Sequence, residues 1–169
     1  MLMEISTKRL TLSPIRRQSV PALAELLTDP QVKASYMVPE LASLADALAM
    51  AGRIAQASQD PQRILFGIHL EGRLIGILNE TERLEDSVEL GYALLPRFWG
   101  QGYCTEALES SIDYLFRQGF RTVIAGAFEE NAASIRVMEK CGMTRQPRQD
   151  RIEYRGRLHR CVYYSIQKP

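Results

Sequence analysis

The stretch RFWGQGYCTEA, residues 97–107, combines side chains and spacing with a clear chemical use. Gly100 and Gly102 sit two apart beside Trp99, and helix-forming sequence follows at once. The first turn of a helix has main-chain N–H groups without intrahelical partners, and the helix dipole adds partial positive charge there. Glycines at such a start remove the Cβ atoms that would hold an anion off, and they let several amides converge on it. Each bond to a charged oxygen contributes about 1.5–3 kcal/mol, so about four amides hold a pyrophosphate without a cationic side chain. Arg97 adds positive charge at the mouth. Taken alone, a G-x-G pair equally makes a plain turn. A Walker loop is excluded, because Tyr103, Cys104 and Thr105 follow Gly102 where lysine and a hydroxyl residue are required. A dinucleotide-binding fold has its glycines early in a parallel chain, whereas these follow mostly hairpin-linked strands.

The elements that position this motif are legible from hydrophobic period and from turn residues. RLTLSPI, residues 9–15, alternates like a strand and stops at Pro14. VPALAELL, residues 20–27, reads as a helix with Pro21 in its first turn. A second helix runs from a Ser43 cap towards Ser58. Leu44, Leu48 and Ala51 mark one side of it, and Ala47, Met50 and Ile54 the adjoining side. Residues 32–39 between the two helices read as irregular. Strands at 64–70 and 73–79 meet at Glu71-Gly72, and the polar ETERLED loop leads to a strand over 87–96. In that strand Glu89, Gly91, Ala93 and Leu95 face opposite to Val88, Leu90, Tyr92 and Leu94.

A helix from Thr105 carries the stripe Leu108, Ile112, Leu115 and Phe116 and ends at Gly119. A strand over 121–128, a short helix from the Asn131 cap to Gly142, and strands near 150–156 and 160–166 complete the chain. The order β-α-α-β-β-β-α-β-α-β-β predicts an α+β (mixed α/β) fold in a single domain, 1–169. Its sheet is mostly antiparallel, of about seven strands, with one parallel strand-helix-strand crossover at the glycine motif.

Bulk properties remove several partner classes. The 169 residues carry a formal charge of +1 with acids and bases spread throughout, which argues for no nucleic-acid and no membrane partner. Cys104, Cys141 and Cys161 lack metal-ligand spacing and there are only 2 histidines, so no metal is expected. Reduced thiols in a cytoplasmic protein are the default. MLMEISTKRLTLSP lacks the apolar run of a signal peptide, and no segment nears the ~18 apolar residues of a membrane span.

VELGYALLPRFWGQGYCTEAL, followed by NAASIRVMEKCGM, closely resembles the GNAT superfamily of acetyl-CoA-dependent N-acetyltransferases. The nearer likeness is to the branch that contains the ribosomal-protein alanine N-acetyltransferases. It covers nearly the whole chain, including STKRLTLSPI, which is similar to that branch's first strand. The resemblance implies a three-layer GNAT fold, acetyl-CoA as co-substrate, and direct attack of an amine on the thioester without an acyl-enzyme. It implies that Arg97, Gly100 and Gly102 form the pyrophosphate signature, with the amides of Phe98, Trp99, Gly100, Gln101, Gly102, Tyr103, Cys104 and Thr105 as donors. Leu94 and Leu95 fall where the family pairs its backbone with the pantetheine arm. Asn131 matches an asparagine that contacts the cofactor arm and opens the next helix. Ser134 matches a hydroxyl near the thioester sulfur, or simply bonds local backbone in a first helical turn.

The general base is expected at Glu153, by its positional match to a glutamate that acts through water in the branch, with Glu89, on the strand leading into the cofactor motif, as the alternative. Many members carry a tyrosine seven residues after the capping asparagine, to protonate the departing thiolate; here that residue is Met138. Tyr92, Tyr154 and Tyr164 are also within reach of such a site. Cys104 and Cys141 read as helix residues rather than nucleophiles, having no histidine near them in sequence. Trp99 reads as packing beneath the loop more readily than stacking on the cofactor, and His69 and His159 as structural.

The leading acceptor is the N-terminal α-amine of a protein or peptide. That group titrates at about 7.7–8.0 against about 10.4 for lysine, so a weak base suffices to free its lone pair. A small amine (polyamine, amino acid or antibiotic) is the alternative acceptor, and a coenzyme A-binding module without catalysis is the alternative class. Monomer and homodimer both remain open.

Overall fold

The structure, a computed structural model, describes residues 3–169. Met1 and Leu2, which open the N-terminal stretch free of a signal-like apolar run, lie outside the described residues. In chain order the strands are β1 (Ile5–Ser6), β2 (Leu10–Ser13), β3 (Leu65–Leu70), β4 (Arg73–Arg83), β5 (Ser87–Leu94), β6 (Thr122–Phe128), β7 (Thr144–Tyr154) and β8 (Arg157–Gln167). The helices are α1 (Val20–Thr28), α2 (Pro30–Lys33), α3 (Leu44–Ala57), α4 (Tyr103–Arg117) and α5 (Ala132–Lys140). The strands form one 8-stranded sheet in the order β1-β2-β3-β4-β5-β6-β8-β7. Registers are antiparallel for β1–β2, β2–β3, β3–β4, β6–β8 and β7–β8, whereas β5 and β6 run parallel with α4 as their crossover.

Four elements differ from the sequence expectation, one of them β7, which begins at Thr144 rather than near residue 150. The eighth strand is β1, which pairs Ile5 with Leu12 and is too short to show alternation. Helix α2 is a single turn that runs into the start of the stretch expected to be irregular; the Asp29 carboxylate accepts from the N–H groups of Gln31 and Val32 and caps it. Strand β4 continues through ETER, where a loop was expected, because its last residues are polar and carry no apolar alternation.

The chain divides into two compact units, 1–79 with 92–107 and 80–91 with 108–169. The first is built on Leu23, Leu26 and Leu27 of α1 and on Ala47, Ala51 and Ala55 of α3, with Ile77 of β4 and Leu95 just past β5. The buried face of α3 is therefore its alanine face. Of the expected sides, Ala51 and Ala47 are buried, whereas Leu44 is 68% and Leu48 38% exposed, so the helix turns inward on its alanines rather than on those leucines. Alanines let α3 approach α1 closely, and that close packing selects the face.

In the second unit the expected α4 stripe of Leu108, Ile112, Leu115 and Phe116 is buried. Strands β7 and β8 meet at Arg155 and Gly156, whose φ values of 51° and 72° make the double left-handed turn that suits a two-residue hairpin.

Candidate active site

In the first unit the glycine motif is a loop between β5 and α4. Gly100 and Gly102 have φ of 71° and 81°, the left-handed conformation that glycine adopts without a Cβ penalty. The N–H of Phe98 is used by Leu95 O and that of Trp99 by Pro96 O. Past these, the N–H groups of Gly100, Gln101, Gly102 and Tyr103 meet no acceptor among the described residues. Unpartnered amides at a helix start are the chemistry an anionic diphosphate needs, so the residues present fit such a group. Arg97 is exposed and pairs with Glu25 of α1. An exposed pair of this kind contributes about 0–1 kcal/mol, so the guanidinium leaves it at little cost.

Leu95 is fully buried, and its N–H donates to Ile75 O of β4 at 2.9 Å. Main-chain groups of successive strand residues point to opposite edges, so those of Leu94 are directed away from β4. The Leu94 carbonyl accepts from the Trp99 indole N–H at 2.8 Å, and Trp99 is 45% exposed rather than packed beneath the loop. The two main-chain groups of Leu95 are both engaged, the carbonyl by Phe98 N–H.

In the second unit the parallel register pairs 87–90 with 122–125 and ends at Leu90 opposite Ala125. Strand β6 continues beyond it to Phe128, paired on its other edge with β8. Asn131 opens α5, its Oδ1 accepting from Ser134 N–H at 3.2 Å, so both residues sit at the start of that helix. Met138 is fully buried, which makes the usual tyrosine position a core position here.

Glu89 lies within a charged group that sequence reasoning missed. Its Oε2 is 3.4 Å from Arg148, which also pairs with Asp150 at 3.2 Å and lies 3.8 Å from the Tyr163 ring centroid. Tyr163 donates to Asp150 at 2.7 Å; burial first, then this bond, pushes the phenol well above its ordinary value. Arg148 reaches this group because the β7–β8 register slips between Arg145 and Gln149. Such a bulge re-aims a side chain, and Pro147, which cannot donate to a strand ladder, was its available signal.

Glu153 lies near the β7–β8 turn. It is exposed and pairs across the hairpin with Leu158, and alternation turns it away from Asp150, Ile152 and Tyr154.

The remaining candidates have structural partners. Burial pushes the Cys141 thiol up to about 12 and raises that of Cys161, the opposite of nucleophile activation. His159 Nδ1 lies 2.6 Å from Glu130, and its ring stacks on Phe128. Tyr154 packs beside that pair, and Tyr164 donates to Glu139 at 3.4 Å. Among the described residues no cluster of three histidine, cysteine or acidic side chains is arranged to hold a metal, and no helix is long and apolar enough to cross a membrane.

Residues 9–144 match the family model for the acetyltransferase (GNAT) domain. The chain belongs to the GNAT acetyltransferases. It is therefore an enzyme of acyl transfer to nitrogen. It is 26% identical to the uncharacterized N-acetyltransferase YoaA of Bacillus subtilis (strain 168), across 98% of this chain and 97% of that one. Two solved GNAT-fold structures are similar. RimL, the ribosomal L7/L12 alpha-N-protein acetyltransferase in complex with coenzyme A, superposes with a TM-score of 0.83 at 22% identity, covering 98% of each chain. The microcin C7 self-immunity acetyltransferase MccE, in complex with acetyl-CoA and AMP, does so at 0.78 and 17%, over 96% of this chain and 94% of that one. At such identities the likeness shows the GNAT fold.

Proposed function

We propose that this GNAT enzyme acetylates the N-terminal α-amine of a protein or peptide, with acetyl-CoA as acetyl donor and Glu89 as general base. The observation that carries the reading is the pairing of Glu89 with Arg148 at 3.4 Å, which holds that carboxylate in one position. A carboxylate fixed in this way serves as base for an amine that is already partly neutral. At pH 7 an α-amine of pKa about 7.8 is unprotonated in roughly one molecule in seven, a lysine side chain in fewer than about one in a thousand.

Acetyl-CoA supplies the polarisable thioester carbonyl. The amine nitrogen attacks its carbon, the C–N bond forms as the C–S bond breaks, and the proton on nitrogen passes to Glu89. The Ser134 hydroxyl donates a hydrogen bond to the departing sulfur, an electrostatic role, since Met138 has no proton to give. The amides of Gly100, Gln101, Gly102 and Tyr103 hold the diphosphate, the Leu94 backbone meets the pantetheine arm, and Asn131 contributes at the start of α5. Glu153 remains the competing base by position. Its exposure, and the organised surroundings of Glu89, favour Glu89. RimL, an alpha-N-protein acetyltransferase by its description, supports the same acceptor class.

A thioester-consumption screen over peptides with varied first residues, free amino acids, polyamines and aminoglycosides tests the proposal. Acetylation of peptide α-amines is expected. Turnover confined to lysine side chains or small polyamines would overturn it.

A further inference from the structure

Arg9, just ahead of β2, is absorbed neither by the fold's core nor by the catalytic reading, yet it grips the glycine loop at several points. Its Nε donates to Glu106 Oε2 at 2.7 Å and its main-chain N–H to Glu106 Oε1 at 2.7 Å. Thr7 Oγ1 donates to the same Oε1 at 2.6 Å. The far end of the guanidinium donates through Nη1 to Gln101 O at 3.0 Å and lies 4.4 Å from the Tyr103 ring centroid. A Cβ placed on Gly102 would meet Nη2 at 3.3 Å. One side chain thus holds the first turn of α4, a carbonyl at the centre of the loop and the ring that starts the helix.

This grip determines which way the loop's amides face. Glycines allow the left-handed turns at 100 and 102, but they also leave the loop the most backbone freedom to lose when it binds. In a trans peptide the C=O and the following N–H point in opposite directions. With Gln101 O held on Arg9, the N–H of Gly102 is directed away from Arg9, to the side where no described residue accepts from it. Glu106 meanwhile neutralises the guanidinium. Burial alone would raise that carboxyl's pKa, but the bonds from Thr7 and Arg9 outweigh it and hold the group below its ordinary value. The charge of Arg9 is already spent inside the protein, so its service to a bound diphosphate is shape rather than long-range attraction.

We propose that Arg9, anchored by Glu106 and Thr7, is a positioning residue that presets the diphosphate loop before the acyl donor arrives. The proposal rests on the acetyl-CoA reading of that loop. It is tested on the full chain with coenzyme A as probe, in wild type, Arg9→Gln, Arg9→Lys and Thr7→Val, by calorimetry and by the fluorescence anisotropy of Trp99, which stands in the loop. The lost bonds should weaken coenzyme A binding about tenfold in Arg9→Gln and severalfold in Arg9→Lys, whose ammonium keeps the charge but not the planar fork. Trp99 anisotropy without ligand should fall in both Arg9 variants while the thermal midpoint stays within a few degrees. Wild-type affinity in Arg9→Lys would make the effect one of charge and overturn the proposal, as would unchanged Trp99 anisotropy. Thr7→Val, which keeps Arg9 and loosens only its anchor, should give a smaller loss of the same kind, and no loss counts against the anchoring role. Absence of coenzyme A binding in wild type removes the acetyl-CoA reading itself, a distinct result.

Discussion

At Gly100 and Gly102 the same substitution meets two different environments. An alanine Cβ at 100 reaches open space and adds only the left-handed backbone penalty of about 1–2 kcal/mol. At 102 the penalty recurs and the Cβ also presses on Arg9. Gly102→Ala should therefore weaken coenzyme A binding more than Gly100→Ala, and calorimetry on the two variants checks the order. For catalysis, Glu89→Gln should lower kcat by about 10²–10⁴, whereas Glu153→Gln should change kcat less than about threefold. The turnover rates of both variants decide between them, and the reverse outcome restores Glu153. The glycine loop was legible in the sequence because everything it needs lies within a few residues. Arg148, Asp150 and Tyr163 were not, since a register slip and a sheet pairing bring them to Glu89.

Helix α3 shows what periodicity carries at the scale of an element. Its limits follow from local signals: Ser43 Oγ accepts from Asp46 N–H at 3.1 Å, as the sequence predicted of a cap. Ser43→Ala should cost about 1 kcal/mol, read as a shift in the urea midpoint. Which way the helix faces is a separate matter, because leucines and alanines both lie on it at helical spacing and the partner helix chooses. With the alanine face inward, Leu48→Ala should cost under about 1 kcal/mol, while Ala51→Leu should cost about 1–3 kcal/mol by overpacking against α1. Equal costs in the two melts would mean that the face is wrongly assigned. Strand β4 teaches a related lesson: ETER is strand because a neighbouring strand pairs with it, not because of any pattern of its own.

For the whole molecule, buried titratable groups set the response to acid. His69 is 6% exposed, with Nδ1 3.3 Å from the Thr11 carbonyl and Nε2 buried without a partner among the described residues. Burial is the main cause that lowers its pKa. A histidine depressed in the fold binds its proton more readily once unfolded, at about pH 6.5. The stability that depends on neutral His69 is thus intact above about pH 6.5 and is lost as pH falls below it towards the folded value. Urea melts at pH 7.5 and 5.5 should show this loss in wild type and a smaller one in His69→Leu; equal losses would remove His69 as the cause. Carboxylates such as Glu106, held below their ordinary range, act in a separate and more acidic window.

By itself the sequence determined the element types, the crossover at residues 97–107, the helix caps and the GNAT membership later carried by the family match. These are properties of short segments, in which period, glycine and capping residues act through neighbours along the chain. Only the tertiary structure decided that Arg9 grips the loop, that Arg148 stands beside Glu89, and that Glu153 faces away from Asp150. Residues 9 and 101, or 89 and 148, are brought together by sheet pairing and helix packing. Their mutual distance is a property of the folded chain and is written in no local pattern.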